Sequence, residues 1–324
     1  MKKHLLILAA FLSMLASCGN DLMVENIDTD QKLENSDVTE FNLKIDSLTN
    51  VYSEMSNVNA TRGYVSDYVV QTSADAVGKF VGSKVFSWAG SAIGAACGNP
   101  VIAIGGYLVG RKYGGAATGA AASIGTAWLM DRWKTRATQI PGLKLNENYV
   151  VYVKDSKNPS DGELHNLIVS RLLKNIDKYR TSDGSLNFDL LLEDAYKYEN
   201  EFAPFEYHAE FKSLCMPKSI EETKRIVNAA MRADKNDNET FLEEVFYTLI
   251  PEIQVSKDEF EMVNVINKKA ISTYMALDND DVTKFSEDID SLIETSNLDN
   301  YLKAELKSSN SILANSTLIW REVK

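Results

Sequence analysis

Histidine and cysteine, which carry much of protein side-chain chemistry, occur only three times each in these 324 residues, and proline only six times. There is no H-E-x-x-H, no pair of C-x-x-C motifs and no G-x-x-x-x-G-K-[ST]. Common zinc sites and phosphate-cradling loops are therefore excluded, and no cofactor is indicated. G-x-S-x-G is also missing, so none of the many serines is marked as a nucleophile with a base. Cys18 stands at the end of an apolar leader, which leaves Cys97 and Cys215. That count rules out a disulfide scaffold and permits at most one bridge. Small residues surround Cys97, and buried free thiols are expected instead.

Basic residues are outnumbered, 34 against 46, for a net charge of −12. An acidic chain is a poor ligand for nucleic acid phosphates, so no nucleic acid partner is expected. The balance is uneven, with 9 basic against 3 acidic residues in 61–145 but 21 against 34 in 146–324. A basic, apolar middle lies between acidic flanks and can face anionic lipid or those flanks.

What is present begins with the leader. Lys2 and Lys3 precede an apolar run from Leu5 to Leu15, closed by Leu15-Ala16-Ser17-Cys18. A basic start, a short apolar stretch and small residues before the cut make a secretory signal peptide over 1–17. The run is too short for a bilayer span of about 20 apolar residues. Leu15-Ala16-Ser17-Cys18 resembles the lipobox of bacterial lipoproteins. The resemblance implies that Cys18 becomes the lipidated first residue and that the chain is anchored to a membrane of the bacterial cell envelope. Residues 18–35 read as a flexible tether. From Ser36, the spacing of Phe41, Ile45, Leu48, Tyr52 and Met55 predicts an amphipathic helix packed on one face.

Twelve of the seventeen glycines fall between Gly78 and Gly125. Gly90, Gly94 and Gly98 form one series at steps of four, and Gly106, Gly110 and Gly114 another; Gly78 with Gly82 and Gly115 with Gly119 repeat the step. Such spacing puts glycines on one helix face and lets two backbones approach closely. Each glycine costs a helix about 1 kcal/mol against alanine, so close packing must offset the loss. The 26 residues from Val85 to Gly110 carry no charge, and Cys97-Gly98-Asn99-Pro100 breaks them with turn chemistry. Two apolar arms, Val85–Cys97 and Val101–Gly110, are predicted across that turn, with a third small-residue stretch from Ala116 to Met130. Lys79, Lys84, Arg111 and Lys112 could snorkel at the arm ends, and Trp88, Trp128 and Trp133 suit an interface.

The region is similar to the glycine-zipper segments of small pore-forming bacteriocins and bacterial envelope proteins. That similarity implies a segment, Val85–Met130, packed into or against a membrane. Membrane packing is the favoured expectation, because a buried hairpin rarely needs so many glycines; the alternative is a membrane-anchored helical interaction module with the hairpin buried in its own core. Beyond Pro141-Gly142 only Gly162 and Gly184 remain, and apart from a β-like run at Asn148–Val153 the pattern is helical. Ser160-x-x-Glu163, Ser219-x-x-Glu222 and Ser256-x-x-Glu259 read as capping boxes, with further starts near Phe241, Thr283 and Leu298. The expected fold is mainly α: a glycine-rich helical hairpin region in 36–145, then an all-α helical bundle in 146–324, which binds a protein partner.

One phrase in that half is motif-like: Asn158-Pro159-Ser160-Asp161-Gly162-Glu163-Leu164-His165-Asn166. It resembles an Asn-Pro-x-Asp-x-Gly-x-x-His-Asn pattern of uncharacterised secreted and lipid-anchored bacterial proteins, one residue shorter before the glycine. The resemblance implies a helix start and no particular reaction. His165, with Asp161 and Glu163 nearby, could act as a base or ligand; the favoured expectation is that His165 and Asn166 lie in the first helical turn and bond to the preceding loop. Asp234-Lys235-Asn236-Asp237-Asn238-Glu239 alternates oxygen donors like a calcium loop but lacks the sixth-position glycine and has Val245 where the twelfth-position glutamate belongs. That segment and Asp278-Asn279-Asp280-Asp281 are expected to be turns and caps.

Overall fold

A computed structural model describes residues 35–55, 67–96, 114–135, 159–204, 208–233, 244 and 257–320. Cys18, Gly98, Gly106, Gly110, the Cys97–Pro100 turn, the Asn148–Val153 run and the Asp234–Glu239 segment lie outside these residues. Nine α-helices form within them: α1 Asn35–Met55, α2 Asp67–Ala96, α3 Gly115–Thr135, α4 Asp161–Lys174, α5 Phe188–Phe202, α6 His208–Arg232, α7 Lys257–Ala276, α8 Asn279–Thr295 and α9 Asn300–Trp320. The described residues hold no strand, only an isolated Arg180–Leu186 bridge, so the fold is mainly α.

The sequence dictates which helices are central. From Val70 to Ser87 every residue of α2 is buried except Lys84, which is half-buried, and 115–128 of α3 are buried throughout. Small and apolar residues surround both helices, so neither has a polar face to turn outward. Their neighbours supply the cover: α2 packs on α3, α6, α7 and α9, and α3 on α2, α4, α5 and α6. The outer helices are one-sided. In α8, Val282, Phe285, Ile289 and Ile293 are buried, while the acidic residues of its first turn start a polar face. Phe285 packs at a tilt against Tyr52 of α1, 4.7 Å between ring centroids, and edge-on against Tyr274 of α7 at 4.8 Å, joining three helices; such pairs add about 0.5–1.5 kcal/mol each beyond burial.

Helix ends follow the sequence in part. Ser160 caps α4 with a full capping box, accepting the Glu163 N–H while the Ser160 N–H donates to Glu163 Oε2 at 2.7 Å. Asn187 caps α5 by accepting the Leu190 N–H, and Asp278 caps α8 at Asp281. The start expected near Thr283 therefore lies earlier, at Asn279, because the Asp278 carboxylate meets the first free amides. α9 starts at Asn300, near Leu298 as expected, and Asp299 before it accepts the Leu302 N–H at 2.8 Å. Ser219-x-x-Glu222 is no helix start at all. It lies within α6, which runs on through Pro217; Ser219 is buried and accepts a hydroxyl bond from Tyr196 at 2.7 Å.

Met55 is a further correction. Phe41, Ile45 and Tyr52 are buried and Leu48 packs against the core, but Met55 is 58% exposed. A face spaced at four and three drifts by about 20° per heptad on a straight helix, and Met55 is the last residue of α1.

Candidate functional site

The motif-like phrase is a docking surface. Ser308 of α9 donates its hydroxyl to Asp161, and Ser311 Oγ accepts the Gly162 N–H at 3.0 Å. A Cβ at Gly162 would collide with the Ser311 carbonyl and lie 2.5 Å from Asn315 Nδ2, so only glycine allows this approach. Asn166 Nδ2 donates to the Asn315 carbonyl at 3.0 Å. Residues 161, 162 and 166 thus tie the first turns of α4 to α9 between Ser308 and Asn315.

His165 projects the other way, against α2 and α3. Its ring is wholly buried, with Nε2 2.7 Å from Asp75 Oδ1 and Nδ1 3.0 Å from Asn166 Oδ1. Asp75 Oδ2 also accepts the Ser316 hydroxyl and, at 2.9 Å, the Trp320 indole N–H. Since the Asn166 amide nitrogen is spent on Asn315, its oxygen must face the ring, so Nδ1 carries a proton. Asp75 completes the assignment, because a carboxylate oxygen 2.7 Å from Nε2 favours a proton there as well. Burial opposes a charged ring, but the Asp75 charge and bond, with the Asn166 bond, hold the His165 pKa above its ordinary value. The geometry describes an imidazolium–carboxylate pair sealed inside the protein.

Two more carboxylates are buried beside the same helices. Glu305 of α9 accepts from Lys79 Nζ of α2 at 3.0 Å, both side chains being almost fully buried. Glu199 of α5 lies at the start of α3, accepting the Gly114 N–H at 2.8 Å and the Ala117 N–H at 3.3 Å. It caps α3 from another helix, where the helix dipole favours an anion. Burial nonetheless dominates and pushes its pKa up to about 8, against the lowering effect of those two bonds. Gly114 has φ +86 and no room for a Cβ beside the Phe86 ring, so it is the turn residue before α3 and not the last member of a helix-face series as read from spacing. Around it the Tyr196 hydroxyl bridges Ser219 and, at 3.1 Å, Thr118, while the buried thiol Cys215 faces the Val85 carbonyl at 3.8 Å and is free.

The close glycine approach falls on the shorter pairs. A Cβ on Gly78 would lie 2.7 Å from Gly119 Cα, one on Gly119 2.9 Å from the Asp75 carbonyl, and one on Gly115 2.5 Å from Ser83 Oγ. The described partner of α2 is therefore the stretch 115–128; the arm 101–110 lies outside the described residues. Gly90 and Gly94 belong to the last turns of α2.

Asp161 and Glu163 do not assist His165: one bonds Ser308 and the other Ser160. Nor does His165 bond the preceding loop, since its partners are Asn166 and Asp75 of α2. Ser316 and Trp320 carried no local signal, and Asp75 only that of an acid among apolar and small residues. Lys79 is buried instead of snorkelling, Lys84 stands 5.5 Å over the Phe80 ring, and Trp128 is buried under the Arg180 guanidinium at 5.2 Å. The His165 ring is sealed from solvent among the described residues, with an acceptor on each nitrogen, and its bonds join α4 to α2. Among the described residues no group of three His, Cys, Asp or Glu could hold a metal ion, and no helix is long and apolar enough to cross a membrane.

No family model matches the chain, and no curated protein or solved structure matches it.

Proposed function

We propose that the chain is a cell-envelope lipoprotein, lipidated at Cys18, whose helical body is a membrane-tethered interaction module with its glycine-rich helices kept inside its own core. One observation carries the reading: both buried charges of α2, Asp75 and Lys79, are neutralised within the body, by His165 and Glu305. Moving α2 into lipid would strand four ionised groups, and breaking one buried pair alone costs about 3–5 kcal/mol. The partner is a protein, and nucleic acid is disfavoured by the acidic surface.

A second reading keeps the glycine-rich segment 85–130 packed into or against a membrane, as a bacteriocin-like or envelope structural element. It draws on the close approach of α2 and α3 at Gly78, Gly115 and Gly119, which would serve in lipid as in a core. Liposome flotation and dye release with a Cys18→Ala chain separate the two. The module reading expects neither binding nor leakage at any lipid composition, and leakage from anionic vesicles would replace it with the second. Lipidation is read separately, as fatty-acid label taken up by the wild-type chain and lost in Cys18→Ala.

A further inference from the structure

We propose that the Asp75–His165–Asn166 network is a proton-operated latch: with the ring doubly protonated it fastens α4 onto α2 and α9, and loss of one ring proton releases the first turns of α4.

Donor and acceptor accounting carries the proposal. His165 is held between two acceptors, Asn166 Oδ1 at 3.0 Å and Asp75 Oδ1 at 2.7 Å. A neutral imidazole has one N–H and one lone pair, so it leaves one acceptor facing a lone pair in a site without solvent. Turning the Asn166 amide over does not help, because its oxygen would then face the Asn315 carbonyl. With the Asp75 carboxylate as acceptor, every arrangement with a neutral ring leaves at least one mismatch, worth about 1–3 kcal/mol of lost pairing. The mismatch falls on an important contact. The ring Cδ2 lies about as close as ordinary packing allows to where a Gly119 Cβ would stand, 3.6 Å away, so the His165 ring covers the point where α3 meets α2.

Charged groups on the packed elements do not supply an alternative partner. On α2 the buried ones are Asp75, which touches the ring, and Lys79, paired with Glu305 of α9, while Lys84 lies over the Phe80 ring; on α5 the buried ones are Asp194, engaged with Lys178 and Tyr179, and Glu199, engaged with Gly114 and Ala117. Residues 115–130 of α3 carry no charge, and on α4 Asp161 and Glu163 bond serines while Arg171 and Lys174 lie in the last turn. Because the folded ring holds its proton more tightly than the unfolded one, its contribution is full below the ordinary value of 6.5 and is lost as pH rises through the raised folded value. The latch is closed in mild acid and opens on the alkaline side.

The test follows the ring and the helix together in the full chain, held in mild detergent. Ring nitrogen and carbon NMR signals, assigned with His208→Gln, report protonation, while hydrogen exchange of the α4 amides, corrected for intrinsic chemistry, reports release. The expected result is a His165 ring titrating above 6.5 and α4 protection falling in the same interval, by about tenfold for each unit that separates the folded ring from 6.5. His208 serves as a control moving the other way, since burial pushes its pKa down. In Asp75→Asn the ring loses its anionic partner, and the loss of protection moves to lower pH. A His165 ring titrating at or below 6.5, α4 protection constant through the titration, or a transition unmoved in Asp75→Asn would each overturn the latch. The wild-type measurement stands alone if the variant does not fold.

Discussion

Gly78 and Gly119 meet backbone to backbone, so that a Cβ on Gly78 would stand 2.7 Å from Gly119 Cα and 3.0 Å from the Thr118 carbonyl. Backbone atoms cannot rotate aside. Gly78→Ala gains about 1 kcal/mol of helix propensity but overpacks the contact by about 1–3 kcal/mol, so a net loss of up to about 2 kcal/mol is expected. The readout is a lower urea midpoint at unchanged m-value. A midpoint that rises would mean that α2 and α3 do not need this approach.

Glu199 makes stability depend on pH. Its folded pKa of about 8 lies above the ordinary 4.5, so between these values the folded state keeps a proton that the unfolded chain has lost. Stability contributed by Glu199 is therefore present in acid and falls as pH rises from about 4.5 to about 8, by on the order of a few kcal/mol. Glu199→Gln mimics the protonated form and should flatten this part of a denaturation-versus-pH curve. Parallel wild-type and variant curves from pH 5 to 9 would show that Glu199 is ionised throughout.

Lys79 and Glu305 test what a buried pair contributes. Lys79→Met leaves the Glu305 carboxylate without its cation and should lose about 3–5 kcal/mol. Lys79→Met with Glu305→Leu removes both charges and should regain most of that loss. A double-mutant cycle in chemical denaturation decides between coupling and simple additivity, and additivity would refute the pairing.

Two neighbours in the motif-like phrase should differ. Ser160→Ala removes a solvent-facing cap and should cost about 1 kcal/mol. Gly162→Ala must push the Ser311 backbone away, and a loss clearly larger than that of Ser160→Ala is expected in thermal melts. Equal losses would make the phrase a helix cap only and not a docking surface.

Much of this was written locally. The Ser160–Glu163 box, the Asp278 cap and the buried side of α1 follow from spacings of three and four, which act within one helix turn. Gly78, Gly82, Gly115 and Gly119 were legible as close-packing positions, but their pairing was not, since a glycine face fits any other smooth face. His165 was legible as unusual and its partner was not.

By itself the sequence determined a helical chain with an acidic C-terminal half, small residues concentrated in 78–125, and helix caps set by short-range hydrogen bonds. Only the tertiary structure decided that Asp75 meets His165, 90 residues away, and that Lys79 meets Glu305, 226 residues away. Periodicity tells each helix which face to bury. Which helix lies against that face depends on the packing of all nine described helices at once, and in that packing a buried acid and a buried lysine in α2 find their charges matched.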